Sequence, residues 1–278
     1  MSVDRYAVIG HPVSHSRSPF IHERFAQQTG QQLTYERIDA SPAQFDQVAA
    51  RFFAEGGKGL NVTLPHKQSA AVLADELTPR AQTAGAVNTL IREPGGRLIG
   101  DNTDGAGLAR DLLNNLGVTI AGRRVLLLGA GGAARGVVAP LLGLKPAALL
   151  IANRTADRAR ELAAGFSRLG ECEGCGFDEI SGGPYDLIIN ATSASLAGEA
   201  PPLPPGVVTQ RSFCYDMAYA NEDTSFIRWA QMQGCSRSAM GLGMLVEQAA
   251  ESFHAWRGVR PDTASVLAAL KAEIARGG

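Results

Sequence analysis

Short apolar runs alternate with amphipathic stretches along almost the whole chain, and this alternation predicts strands and helices in turn. Strand-like runs occur at Tyr6–Gly10, Leu33–Asp39, Gly59–Leu64, Ala86–Arg92 and Arg97–Asn102. Helical periodicity lies between them at Pro19–Thr29 and about Pro42–Ala54. The first of these helices has its punctuation in place: Ser18 can cap, Pro19 suits the first helical position and Gly30 suits the stop. A helix over Gly105–Leu116, closed by Gly117, leads into a second series. That series reads strand Arg124–Leu128, helix Ala133–Leu142, strand Ala148–Ala152, helix Ala156–Leu169, then strands Asp186–Asn190 and Ser212–Asp216. Pro140 should kink or locally unwind the helix that contains it. Two longer helices, Gly243–Trp256 and Thr263–Ala275, close the chain.

Alternation of this kind predicts an α/β fold with a mainly parallel sheet. Two consecutive terminal helices cannot extend such a sheet and must pack on something, for which the first domain is the obvious surface. We therefore expect two α/β domains. Residues 1–103 and 240–278 form a discontinuous substrate-binding domain with a mainly parallel sheet, and residues 104–239 form an inserted Rossmann-like nucleotide-binding domain.

Composition narrows the partners. The 278 residues carry a net charge of −1, so neither nucleic acid nor a membrane surface is the expected partner; a small molecule is. No apolar run approaches the roughly 20 residues needed to span a bilayer, and Met1–Arg5 lacks the layout of a signal peptide. The four cysteines, at 172, 175, 214 and 235, suit a reducing cytoplasm. Cys172 and Cys175 match C-x-x-C, but no second pair or histidine pair completes a zinc set. They read as loop cysteines, and no metal is expected.

The segment Val125–Ala134 reads as strand, glycine turn and helix start. Gly129, Gly131 and Ala134 fill the G-x-G-x-x-G/A fingerprint of dinucleotide sites. The first glycine makes the turn, the second lets backbone approach a pyrophosphate, and the small third residue lets helix meet strand. The helix N-terminus then offers free N–H groups to phosphate. An acidic residue about 20 positions on would hold the ribose 2′-hydroxyl of NAD. Here the next strand ends Ala152-Asn153-Arg154-Thr155, with no carboxylate before Asp157. Arg154 can instead pair with a 2′-phosphate, with Arg158 one turn later, so NADP is the expected cofactor. The bland alternative is a pair of solvated arginines at a helix start.

Catalytic groups are less obvious. No tyrosine has lysine four positions later, which removes the short-chain dehydrogenase solution, and the five histidines do not pair with the cysteines. Polar residues gather instead at turns: Ser14–Pro19, Asn61–Lys67, Asn88 and Gly100–Gly105. Hydroxyls at Ser16 and Ser18 beside a helix start suit a substrate carboxylate; a plain cap would explain Ser18 but not Ser16. Lys67 closes the Asn61–Lys67 turn, and Gly100–Gly105 brings a carboxylate to the domain junction.

The ordered motifs HSRSPFIH, NVTLPHK, AGAVNTL, GDNTDG, GAGGAARG, NRT, NATS, YDMAY and GLGMLVEQA cover nearly the whole chain. Together they resemble the shikimate dehydrogenase family. The resemblance implies an NADP-dependent oxidoreductase acting on a CH–OH group, which reversibly reduces 3-dehydroshikimate to shikimate in chorismate and aromatic amino-acid biosynthesis. It implies a cytoplasmic monomer or homodimer. Carried over by position, the catalytic pair falls on Lys67 and Asp104. Substrate contacts fall on Ser16, Ser18, Thr63, Asn88, Asp104, Tyr219 and Gln248, with Asn61 in support. Cofactor contacts fall on Gly129, Ala130, Gly131, Gly132, Ala133, Asn153, Arg154, Thr155, Met217 and Gly241. Pro79 and Met240 depart from the family pattern: some members have an acidic residue at the first position, and relatives often have Asn or Asp at the second. Rival readings are a quinate/shikimate dehydrogenase of broader substrate or cofactor range, a catalytically silent NADP-binding regulator, and a binding protein for a small carboxylic acid. The presence of both Lys67 and Asp104 disfavours the second, and the glycine fingerprint disfavours the third.

Overall fold

The structure, a computed structural model, describes residues 3–276. It divides into two compact units: one runs to Gly107 and resumes at Leu245, and the other is Leu108–Met244.

In the first unit the order is β1 (Asp4–Gly10), α1 (Ser18–Thr29), β2 (Leu33–Asp39), α2 (Phe45–Ala54), β3 (Gly59–Val62), α3 (Lys67–Leu73), β4 (Glu76–Leu77), α4 (Pro79–Ala84), β5 (Thr89–Arg92) and β6 (Leu98–Asp101). Helix α5 (Asp104–Arg110) leads out of this unit. The sheet order is β2-β1-β3-β5-β6-β4. Pairs β1/β2, β1/β3 and β4/β6 are parallel, whereas β3/β5 and β5/β6 are antiparallel, because the short Glu93–Gly96 turn joins β5 to β6 as a hairpin. Strand β1 shows why its apolar run is continuous. Ala7 and Ile9 enter one core cluster, with Phe45, Phe52 and Leu60, while Tyr6 and Val8 enter another, with Val13 and Tyr35. Both faces are covered, so alternation disappears.

The second unit contains β7 (Arg124–Leu128), α6 (Gly132–Gly143), β8 (Ala148–Asn153), α7 (Ala156–Phe166), β9 (Cys172–Gly176), β10 (Leu187–Asn190), β11 (Phe213–Asp216), α8 (Ser225–Met232) and β12 (Arg237–Met240). Its six strands are all parallel, in the order β12-β11-β10-β7-β8-β9. Counted from β7, that is the 3-2-1-4-5-6 order of the Rossmann fold, whose direction reverses between β7 and β10. Val125, Leu127 and Ile189 pack into one face cluster and Leu126, Leu128 and Ile188 into the other. Helices α9 (Leu242–Arg257) and α10 (Thr263–Arg276) close the chain. Among the described residues no helix is long and apolar enough to cross a membrane.

Several expectations need correcting. Helix α1 begins at Ser18 itself, after Arg17 at the cap position, so Ser18 is not the cap. The backbone N–H of Ser18 donates to Ser16 Oγ at 3.3 Å, so Ser16 takes that role instead. Pro140 does not unwind α6, which runs unbroken through it. It costs one N–H near the helix end, while Val137, Val138, Leu141 and Leu142 around it are buried and hold the helix on the sheet. The helix expected over Gly105–Leu116 widens to a π-helical turn at Asp111–Asn115, where Asp111 accepts from Tyr215 Oη at 2.6 Å. Cys172 and Cys175 lie in strand β9 rather than a loop. Residues i and i+3 of a strand face opposite sides, and Cys172 packs against one core cluster and Cys175 against the other. They do not form a dithiol pair, and burial pushes both thiols up to about 11.

One buried group makes stability depend on pH. His22 on α1 is fully buried and stacked flat on Tyr35, with ring centroids 4.2 Å apart. Burial pushes its pKa down to about 3. Below the unfolded value of about 6.5 the unfolded chain binds a proton that the folded chain refuses. Stability is therefore lost as pH falls from about 6.5 toward 3, at about 1.4 kcal/mol per pH unit from this residue. Urea unfolding at successive pH values measures this slope, and His22→Phe, which keeps a flat ring and cannot protonate, flattens it.

Candidate active site

The chemistry of the first unit is concentrated where strands end. Strand β3 delivers Asn61, and the chain then turns through Thr63–His66 into α3, whose first residue is Lys67. His66 anchors this turn from beneath: its ring stacks on Phe45 with centroids 4.6 Å apart, and Nε2 lies 2.7 Å from Ala40 O. Strand β6 ends at Asp101 and α5 starts at Asp104.

That segment holds two buried carboxylates with different fates. Asp101 is clamped by Arg80, which donates from Nε at 2.6 Å and from Nη2 at 2.5 Å, and by Thr78 Oγ1 at 2.6 Å. Burial alone would raise its pKa, but these donors hold the Asp101 carboxyl below the usual range. Asp104 faces Lys67 instead, whose Nζ donates to Oδ2 at 2.6 Å. The Lys67 side chain is 12% exposed and that of Asp104 6%, so the pair is largely dry.

Amides surround this pair. Asn88 Nδ2 donates to Asp104 Oδ1 at 2.9 Å, to Thr103 Oγ1 at 2.8 Å and to Gln248 Oε1 at 3.2 Å. Ser16 and Ser18 are both buried, and Ser16 Oγ donates to Ser18 Oγ at 3.2 Å. Arg37 fixes their loop by donating from Nε and Nη2 to Ser16 O at 2.8 and 2.6 Å. Thr63, half-buried, sits four residues before Lys67, and Gly10 gives it room: a Cβ there would lie 2.4 Å from Thr63 Cγ2. The fold thus joins Lys67, Asp104, Asn88 and Gln248 in one hydrogen-bonded set, and Ser16 with Ser18 in another. Tyr219 belongs to the second unit.

In the second unit the glycine turn follows β7. Gly129 has φ +107°, which only glycine adopts readily, and its N–H donates to Ala152 O at 2.7 Å. Gly131 caps α6 and is exposed, and a Cβ built there meets nothing within 4 Å. The first backbone N–H groups of this 12-residue helix, through Gly132 and Ala133, have no partner within the helix, as at any helix start. Asn153, Arg154 and Thr155 follow the neighbouring strand β8, and Asn153 Nδ2 donates to Thr155 O at 3.0 Å. Arg154 is exposed. Asp157, the nearest carboxylate in sequence, is taken by Arg160 at 3.0 Å. Met217 and Gly241 follow β11 and β12 and meet there: a Cβ on Gly241 would lie 2.4 Å from Met217 O.

Residues that sequence reading missed set these positions. Asp216 is fully buried and accepts from Ser195 Oγ and Thr224 Oγ1, both at 2.6 Å, and from Ala218 N at 3.1 Å. It ties down the segment that carries Met217. Burial raises its pKa despite these donors.

Comparison with known proteins gives a consistent picture. The chain matches a family model for the shikimate dehydrogenase substrate binding domain over residues 8–90 and one for shikimate/quinate 5-dehydrogenase over residues 108–197. A model for the shikimate 5′-dehydrogenase C-terminal domain matches residues 241–271. A shikimate dehydrogenase (NADP(+)) from Aromatoleum aromaticum is 55% identical over 277 residues, covering 99% of each chain. Among solved structures, an Ael1 enzyme from Pseudomonas putida is 47% identical with a TM-score of 0.88, covering 96% of this chain and 98% of its own. A shikimate 5-dehydrogenase from Thermus thermophilus, in complex with NADP(H) and shikimate, is 32% identical with a TM-score of 0.84, covering 99% of each chain.

Proposed function

This chain belongs to the shikimate dehydrogenase family, and from that premise we propose that it reversibly reduces 3-dehydroshikimate to shikimate with NADPH. The observation that carries this reading is the Lys67–Asp104 pair: an ammonium and a carboxylate 2.6 Å apart, largely buried, with the amides of Asn88 and Gln248 beside them. The first unit is the substrate-binding domain and the second binds NADP. Gly129–Ala133 receive the pyrophosphate, and Asn153, Arg154 and Thr155 receive the 2′-phosphate; Met217 and Gly241 complete the contacts. Bound NADPH supplies the hydride.

The protein's own groups do the rest. Ser16 and Ser18 turn their hydroxyls toward the substrate carboxylate, whose charge a pair of adjacent donors suits. Thr63, Asn88, Gln248 and Tyr219 hydrogen-bond the ring hydroxyls and fix the ring. Lys67 protonates the carbonyl oxygen as it gains charge, and in the reverse direction takes the proton from the hydroxyl. Asp104 holds the ammonium in place and orients the same hydroxyl. The enzyme works in the cytoplasm, a setting that suits its four free cysteines.

A two-by-two assay tests the proposal. Shikimate and quinate are each offered with NADP and with NAD, and initial rates are compared. Shikimate with NADP gives the highest kcat/KM. A rate with quinate or NAD that equals it overturns the assignment in favour of the broader enzyme.

A further inference from the structure

Behind the site lies a buried set of uncharged groups from β2, β3, β5 and α9. Tyr35 Oη donates to Asn61 Oδ1 at 2.7 Å, which leaves Asn61 Nδ2 to donate to Ser252 Oγ at 3.0 Å. Ser252 Oγ and Thr89 Oγ1 are 2.7 Å apart. Thr89 Oγ1 donates to Asn88 Oδ1 at 2.9 Å, and Asn88 Nδ2 donates to Asp104 Oδ1 at 2.9 Å. Ser252 and Thr89 are fully buried.

The ends of this series fix the direction of its outer bonds. Asn88 cannot be turned over, because the backbone N–H of Thr103 donates to its Oδ1 at 2.8 Å. Thr89 has one hydroxyl proton, and that proton is given to Asn88. Ser252 Oγ accepts from Asn61 Nδ2, and its one proton faces two acceptors, Thr89 Oγ1 at 2.7 Å and Gln248 O at 3.1 Å. Burial holds the Tyr35 phenol well above its ordinary range, so the first donor keeps its proton. The neutral His22 ring stacked on Tyr35 keeps the phenol in place. The four bonds with fixed donors, Tyr35 to Asn61, Asn61 to Ser252, Thr89 to Asn88 and Asn88 to Asp104, all point from phenol toward carboxylate, and bonds aligned in this manner polarise one another.

We infer that Tyr35, Ser252 and Thr89 are positioning residues that act through Asn61 and Asn88 to fix the Asp104 carboxylate, and with it Lys67, for proton transfer. Ser252 is the middle of the relay. It also touches Thr103 Oγ1 at 3.2 Å and Gln248 O at 3.1 Å, so one hydroxyl joins β3, β5, the start of α5 and the Gln248 turn of α9. The inference rests on the proposed function, since it assigns the relay to the Lys67–Asp104 pair.

Ser252→Ala breaks the relay at its centre. It should lower kcat for shikimate oxidation by about tenfold, on the scale of one buried hydrogen bond, and raise KM for shikimate while leaving KM for NADP unchanged. Ser252→Thr, which keeps the hydroxyl, should restore both parameters. Tyr35→Phe, at the far end, should move them the same way by less, and covers the case in which Ser252→Ala does not fold. A purely structural role would lower the melting temperature and the active fraction with both KM values intact. That result, or twofold-or-smaller changes in a folded Ser252→Ala or Tyr35→Phe enzyme, overturns the inference. If wild type itself does not oxidise shikimate, the proposed function fails first, so the two failures are distinguishable.

Discussion

Replacing Lys67 by alanine lowers kcat by about 10²–10⁴-fold, the range that a positioned acid–base group contributes, with KM for NADP nearly unchanged. The geometry gives the reason. Lys67 is the ammonium that Asp104 holds at 2.6 Å, and Asp104 is in turn held by Asn88 at 2.9 Å. Removing the lysine takes away the proton donor and leaves a largely buried carboxylate without its counter-ion. The second effect appears as lost stability, on the order of 3–5 kcal/mol for a broken buried pair. Melting temperature and kcat must therefore be measured on the same preparation. A variant that loses stability but keeps near-full turnover would show Lys67 to be a structural partner only.

Replacing Arg154 by alanine raises KM for NADP by about 10- to 100-fold, the scale of a hydrogen bond to a charged group, while kcat at saturation and KM for NAD stay the same. Arg154 follows β8, where an enzyme selective for NAD would place an acidic residue. The carboxylate nearest to it in sequence, Asp157, pairs with Arg160. In wild type the affinity for NADP falls as salt rises, since Arg154 is exposed and its pairing is screened. Equal loss with NADP and NAD would place Arg154 away from the 2′-phosphate. Cofactor titrations at two ionic strengths measure both effects.

What could be read from the chain, and what could not, follows from the range of the interactions. The Rossmann-like series was legible because each signal is local: the apolar strand Arg124–Leu128, the glycines at 129 and 131, and the small Ala134 all lie within eleven residues. The pairing of Lys67 with Asp104 was legible only through the family motifs, since spacing alone does not choose between two carboxylates three residues apart. The structure resolves that choice through Arg80, which claims Asp101. Ser252 was illegible altogether. A serine one turn after Gln248 on a helix has no signature, and its partner Thr89 lies 163 positions away. Local punctuation also misled. Pro140 should kink or locally unwind its helix, yet α6 continues through it without unwinding. Cys172 and Cys175 read as loop cysteines, whereas both lie in strand β9, on opposite faces of it. Helices α3, α4 and α8 escaped notice because six to eight residues are too few to show a helical period.

The central claim concerns one substrate, one cofactor and one product. Its most direct test is to incubate the wild-type enzyme with 3-dehydroshikimate and NADPH, and to quantify the product by mass spectrometry against the NADPH consumed. The account predicts shikimate in equal amount to oxidised cofactor, and little turnover when NADH replaces NADPH. NADPH consumption without shikimate, or equal yields with either cofactor, would contradict it.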